Sequence, residues 1–140
     1  MTWMQGVIQM ILYEIHINDE KDIVIARQRA RDAAKNMNFS ITDQTRIITA
    51  VSELSRNIYE YAGSGTVLIE LASKESKQGI SISFFDEGPG IPDINVAMRE
   101  GYSSGKGMGL GLTGSKRLMD DFSIVSEQGR GTKVVIKKWL

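Results

Sequence analysis

Residues 52–90, SELSRNIYEYAGSGTVLIELASKESKQGISISFFDEGPG, change periodicity twice, and that change decides the fold. The first part continues a helical stripe of Ile47, Val51, Leu54, Ile58 and Tyr61 or Ala62. Gly63-Ser64-Gly65 stops it. Val67, Ile69 and Leu71 then alternate with smaller or polar neighbours, and so do Ile80, Ile82 and Phe84. The polar stretch Ser73–Gly79 joins these two runs as an antiparallel hairpin. Asp86-Glu87-Gly88-Pro89-Gly90 breaks the second strand.

Upstream, residues 10–17 read as a first strand and residues 1–9 as a loose leader. Asn18 and Asp19 are plausible caps for a helix whose stripe is Ile23, Ala26, Ala30, Ala33, Ala34 and Met37. Ser40 and Thr42 are cap candidates for the helix that carries Leu54. Downstream, the pattern predicts a short helix over 93–99, a glycine-dense loop over 101–111, and a helix through Lys116, Leu118 and Met119. Segments 122–127 and 131–138 form a last hairpin with Gly129-Arg130-Gly131 at its tip. Helices in a run and strands in hairpins indicate an α+β, two-layer sandwich. Its helices lie on one face of a mixed, mostly antiparallel sheet. A doubly wound parallel sheet fits this order less well.

The chain has 140 residues, 41% apolar and 24% charged, which suits one globular domain over residues 10–140. Seventeen basic residues balance seventeen acidic ones. That balance argues against gripping nucleic acid or anionic lipid by bulk charge. There is no cysteine, which removes disulfides, thiolate metal sites and Cys nucleophiles together. A single histidine, His16, excludes a histidine-rich metal cage. Residues 1–17 are interrupted by Gln5, Gln9 and Glu14 and have neither a basic start nor a small-residue cleavage site. They are also short of the roughly 20 residues a membrane span needs. The chain reads as cytosolic.

The chemistry concentrates at three places. Gly105, Gly107, Gly109 and Gly111 alternate in GKGMGLG directly before a helix. Such a run lets successive N–H groups surround an anion, with the helix's positive end beside them. The bland alternative is a flexible surface loop. Three familiar motifs fail in this stretch. Lys106 is followed by glycine, which excludes a phosphate-binding Walker loop. Gly109–Gly114 matches the dinucleotide pattern but lacks its preceding strand. Gly101-Tyr102-Ser103-Ser104-Gly105 matches a nucleophile elbow with neither strand nor downstream histidine. Glu53 and Asn57 are the second element, four residues apart on one helix and so on one face. A carboxylate and an amide there suit a hydrated Mg²⁺ and a nucleophile, although a solvated polar face has the same spacing. Asp86 is the third. It ends an apolar strand, where an acceptor meets an exocyclic amine or simply forms a turn.

Taken in order, these pieces resemble the Bergerat-fold ATPases, the superfamily of histidine kinases, gyrase B, Hsp90 and MutL. Glu53-Leu54-Ser55-Arg56-Asn57 is similar to the N box, Asp86-Glu87-Gly88-Pro89-Gly90 to the first glycine box, and Gly105–Gly111 to the second box and ATP lid. Gly131-Thr132 stands where the family has its Gly-Thr hairpin. The resemblance spans residues 10–140. Within the superfamily the chain is similar to the small anti-sigma-factor serine/threonine kinases, nearest the switch kinases of bacterial stressosomes. SELSRNIYEYAGSG, DEGPGIPDI, GKGMGLGLTGSKRLMDDF and the terminal IKKWL carry that likeness. A sensor histidine kinase is a poor match, because these 140 residues show no dimerisation helix bearing a phosphoacceptor.

The resemblance implies ATP and Mg²⁺ as cofactors and STAS-domain proteins as substrates and scaffolds. It also implies that the released kinase binds and activates a downstream phosphatase. Glu53 would be the general base, and Asn57 would bind Mg²⁺ at the phosphates. Asp86 would accept from the adenine amine, with Thr132 supporting it through water. Gly88 and Gly90 would let the backbone pass the base. Gly105, Lys106, Gly107, Met108, Gly109, Leu110 and Gly111 would wrap the triphosphate, with Lys106 as the one lid cation. Arg27, Arg31 and Arg56 are partner contacts or a solvated helix face. Two other functions share the nucleotide site: an anti-sigma factor that sequesters a sigma factor, and a nucleotide-binding switch with little transfer.

Overall fold

The computed structural model describes residues 7–90 and 108–140. Strand β1 (Val7–Ile17) leads into helices α1 (Glu20–Asn36) and α2 (Ile41–Ala62), then strands β2 (Gly65–Lys74) and β3 (Lys77–Asp86). Helix α3 (Met108–Leu118) and strands β4 (Asp121–Glu127) and β5 (Gly131–Trp139) complete the described chain. The predicted short helix at 93–99 lies outside the described residues, as do Gly105, Lys106 and Gly107.

Local chemistry sets the helix ends. The Asp19 side chain caps α1 by accepting from Lys21 N–H at 3.0 Å, and Asn18 N–H donates back to Asp22 at 2.9 Å. Asn38 then turns the chain at φ 65° and lets Phe39 drop into the core. Ser40, of the two expected caps, starts α2 by accepting from Asp43 N–H at 3.1 Å. Gly63, at φ 81°, ends α2 with its N–H on Ile58 C=O at 3.0 Å.

The sheet runs β1-β2-β3-β5-β4, and all four described pairings are antiparallel. Strand period places two continuous rows on its helix-facing side. One is Tyr13, Ile69, Ile82, Ile136 and Phe122; the other is Ile15, Val67, Phe84, Val134 and Ile124. Against them pack Ile23, Ala26, Ala30, Ala33 and Ala34 of α1, and Ile47, Val51, Leu54 and Ile58 of α2. The alanine stripe lets α1 lie close, and Arg29 stacks over the Tyr13 ring at 5.3 Å to tie it to β1. A two-layer sandwich results.

Three boundaries differ from the sequence reading: α3 begins at Met108, inside the glycine-dense loop expected over 101–111, and the start of β1 and the β2–β3 turn also move. Strand β1 starts before residue 10: Val7, Ile8 and Gln9 pair with Lys74, Ser73 and Ala72, so part of the expected leader belongs to the sheet. A register shift between Ile11 and Tyr13 breaks the alternation and hid this extension. The hairpin turn is Glu75-Ser76 alone, because pairing continues to Lys74 and Lys77 and Glu75 adopts φ 55°. The polar composition of residues 73–79 belongs to solvent-exposed strand ends as much as to the turn.

Candidate functional site

Helix α2 lies across the sheet with its C-terminal half above the ends of β3 and β5, and one cavity forms between them. Asn57, Asp86, Gly90 and Thr132 line it together with Leu54, Ile58, Tyr61, Phe84, Pro89, Leu112 and Val134. The walls are apolar and the polar groups few and convergent, the usual make-up of a small-molecule site.

Asp86 sits at its base. One carboxylate oxygen accepts Gly88 N–H at 2.9 Å, and Thr132 N–H also donates to the group. Burial nevertheless pushes its pKa above the ordinary aspartate value, and the two N–H donors only partly oppose the shift. Thr132 Oγ1 lies 2.8 Å from Ser126 Oγ, which in turn donates to Gly131 C=O at 3.2 Å. The Thr132 hydroxyl is thereby fixed beside the carboxylate.

Close backbone contacts hold the loop after Asp86. A Cβ on Gly88 would meet Ala62 Cβ at 2.6 Å, so this glycine lets the loop pass beneath the end of α2. Gly90 adopts φ 78°, and Gly129 N–H donates to Pro89 C=O at 2.7 Å, which locks the loop to the β4–β5 hairpin tip.

Asn57 projects from α2 into the same cavity, and its Nδ2 is buried with no hydrogen-bond partner among the described residues. An orphaned buried amide costs stability unless a ligand satisfies it. Glu53, one turn earlier, faces a different space. It borders a groove between α1 and α2 with Arg27, Gln28, Arg31, Thr49, Ser52 and Arg56. Arg56 Nη1 is 3.2 Å from Glu53 Oε1, and both side chains are about half exposed. Neither Arg27 nor Arg31 has an ion-pair partner among the described residues.

The sequence-predicted residues therefore divide. Asn57, Asp86, Gly90 and Thr132 share one cavity, and Gly88 shapes its floor. Met108, Gly109, Leu110 and Gly111 form the first turn of α3, which brings Leu112 to the cavity wall. Tyr61, Leu112 and Ser126 are not singled out as site residues by the sequence. Tyr61 is four residues beyond Asn57, a spacing that would have placed it on the same face.

A family model for histidine kinase-, DNA gyrase B- and HSP90-like ATPases matches residues 42–140. The chain belongs to this ATPase family. It is 51% identical over 126 residues to the serine/threonine-protein kinase RsbT of Bacillus subtilis, covering 90% of this chain and 95% of that protein. An anti-sigma F factor of Clostridium acetobutylicum is 32% identical over 118 residues, covering 81% and 82%. Among solved structures, the catalytic domain of the histidine kinase ThkA superposes with a TM-score of 0.52 at 17% identity, covering 91% of this chain and 95% of that one. The RsbU and RsbW domains of a Mycobacterium tuberculosis protein give 0.61 at 18%, covering 91% of this chain and 32% of that one. The structural matches carry the fold, and the sequence matches carry the class. The chain is a serine/threonine protein kinase of an ATP-binding family. Among the described residues, no helix is long and apolar enough to cross a membrane.

Proposed function

We propose that this kinase transfers the γ-phosphate of Mg·ATP, bound in the α2–sheet cavity, to a serine or threonine of a STAS-domain partner in a stress-response partner switch. One observation carries the reading. The cavity joins a half-buried acceptor, Asp86, to the buried Asn57 amide, whose Nδ2 has no partner among the described residues, across apolar walls. On this reading an adenine would lie between them, with its exocyclic amine toward Asp86 and the phosphates toward Asn57 and the first turn of α3. Among the described residues no three His, Asp or Glu side chains converge as a metal cage. Mg²⁺ here would be held mainly by phosphate oxygens and water, with the Asn57 carbonyl as the protein ligand. When bound it supplies charge neutralisation at the β- and γ-phosphates.

Glu53 takes the role of base. It borders the arginine groove and not the α2–sheet cavity, and on this reading an incoming protein hydroxyl would approach from the groove. Arg27, Arg31 and Arg56 give that groove a positive character suited to an acidic partner surface. After release from its scaffold, the same kinase binds and activates a downstream phosphatase in the cytoplasm. Incubation with labelled ATP, Mg²⁺ and the STAS proteins of the same organism tests this directly. Labelling of one STAS protein, abolished by EDTA, is expected; no labelled STAS protein would refute it.

Similarity to anti-sigma F factors favours one second reading, in which sigma-factor sequestration is the main output. Affinity capture against purified sigma and STAS proteins separates the two.

A further inference from the structure

We infer that Lys138 is a positioning residue for the triphosphate half of the nucleotide site. Its ammonium lies beneath the remote ends of two helices and sets the angle between them. Lys138 is 8% exposed, on the helix-facing side of β5 opposite Ile80, just past the two apolar rows. Its Nζ donates to the Leu118 carbonyl, the last residue of α3, at 3.0 Å. The same nitrogen lies 3.4 Å from Asp120 Oδ1 and 3.7 Å from Asp43 Oδ1, in the first turn of α2. Asp120 is itself fixed, since its other oxygen accepts Trp139 N–H at 2.8 Å.

A strut alone would not need these partners. A buried charge is costly to hold, and an apolar residue at this place would extend the Leu71–Ile80 row without that penalty. The amine instead satisfies an orphan carbonyl at a helix C-terminus, where a cation is electrostatically favoured. It also joins α3 to α2 through Asp43. Both helices point their other ends at the nucleotide. Asn57 lies fourteen residues beyond Asp43 on α2, and the glycine-rich first turn opens α3. At 1.5 Å per residue α3 is about 16 Å long, so tilting its anchored end by about 10° moves the phosphate end by roughly 3 Å. Misplacement of even about 1 Å suffices to spoil a phosphoryl-transfer geometry. The base half of the site has separate supports: β3, β5 and the loop clamped by Gly129.

This role presupposes the nucleotide site proposed above, and it separates the two halves of the ligand. Lys138→Met keeps the aliphatic stem and removes the ammonium; Lys138→Gln is a second neutral variant. Calorimetric titration with ATP·Mg²⁺ and with adenosine, beside circular dichroism, reads the effect. The expected result is at least a tenfold loss of ATP affinity with adenosine affinity within twofold of the parent. Unchanged ATP affinity overturns the inference. So does a parallel loss of both ligands, or failure of both variants to fold, because Lys138 would then serve only the fold. If the unsubstituted protein binds no ATP, the nucleotide reading fails and takes this role with it; that outcome is distinct because it appears before any substitution.

Discussion

Replacing Asp86 by Asn removes a charge and inserts a donor at a place that must only accept. In the parent the carboxylate takes N–H bonds from Gly88 and Thr132 and still faces the cavity. The amide of an Asp86→Asn variant keeps one acceptor oxygen, so its NH₂ must face either a backbone N–H or the adenine amine. The loss is one charge-assisted hydrogen bond to the ligand, worth about 1.5–3 kcal/mol, or roughly 10- to 150-fold in Kd. The fold should hardly register the change, because a neutral amide escapes the burial that raises the Asp86 pKa.

The pH dependence carries the same signature with opposite signs for stability and binding. A folded-state pKa above the unfolded value contributes stability that is present at low pH and lost as pH rises through the folded pKa. Acidifying the free protein through that window therefore relieves the Asp86 penalty. ATP affinity should move the other way on the proposed pose, since protonation removes the charge from the hydrogen bond to the adenine amine and turns one acceptor oxygen into a donor. Isothermal titration of parent and Asp86→Asn, from neutral pH down into the carboxylate range, reads the binding side, and thermal denaturation over the same range reads the stability side. The parent should lose affinity on acidification, while the variant starts weak and loses no more from this site. GTP should bind the parent poorly, because guanine presents a carbonyl at the amine position. Equal ATP and GTP affinity, or an Asp86→Asn variant that binds ATP like the parent, would refute the assignment.

Glu53→Ala should leave ATP affinity nearly unchanged and slow transfer to the STAS partner by about 10²–10⁴-fold, measured in a single-turnover assay. Asn57→Ala should weaken both nucleotide binding and transfer, and EDTA should reproduce the loss in the parent; full transfer in EDTA would remove the metal from the mechanism. Gly131→Ala should destabilise by about 3 kcal/mol, because φ is 120° and the new Cβ would overlap the Asp86 carbonyl oxygen. Gly114→Ala, inside α3 with nothing among the described residues within 4 Å of its Cβ position, should instead stabilise by about 0.5–1 kcal/mol. Thermal denaturation of the two glycine variants side by side checks the contrast.

The helices and strands are legible in the sequence because their apolar residues keep strict periods. The alanines of α1 and the Ile80, Ile82, Phe84 alternation survive folding unchanged as core. The parts that are not legible depend on pairing. Gln9 and Ala72 are neighbours only because a register shift at Ile11/Tyr13 carries β1 along β2, and no local pattern encodes that shift. In the site, Asp86 and Asn57 are readable from type and position. Their shared cavity follows from how α2 crosses the sheet. The spacing of Tyr61 from Ile58 fits the buried stripe and so suggests core, whereas the chain's turn at Gly63 leaves it at the cavity wall. Ser126 becomes visible only through its cross-strand partner Thr132.

Glu53 and Asn57 are one helical turn apart, yet the structure gives them different surroundings. Asn57 closes the slot that ends at Asp86, while Glu53 opens onto the groove of Arg27, Arg31 and Arg56. Four residues of helix rise about 6 Å, so the two side chains stand one turn apart and open onto separate spaces. On the proposed reading, one turn of α2 thus forms the boundary between an apolar nucleotide cavity and an arginine-lined groove open to a protein partner. On that reading, residues lining the cavity should govern affinity for ATP, and those lining the groove should govern which hydroxyl meets the γ-phosphate. Two surfaces so placed would let one small domain keep its nucleotide chemistry constant while its partner changes, since on this reading a new partner need match only the arginine groove. The division also explains why substitution at Glu53 should separate transfer from binding, whereas substitution at Asn57 should not.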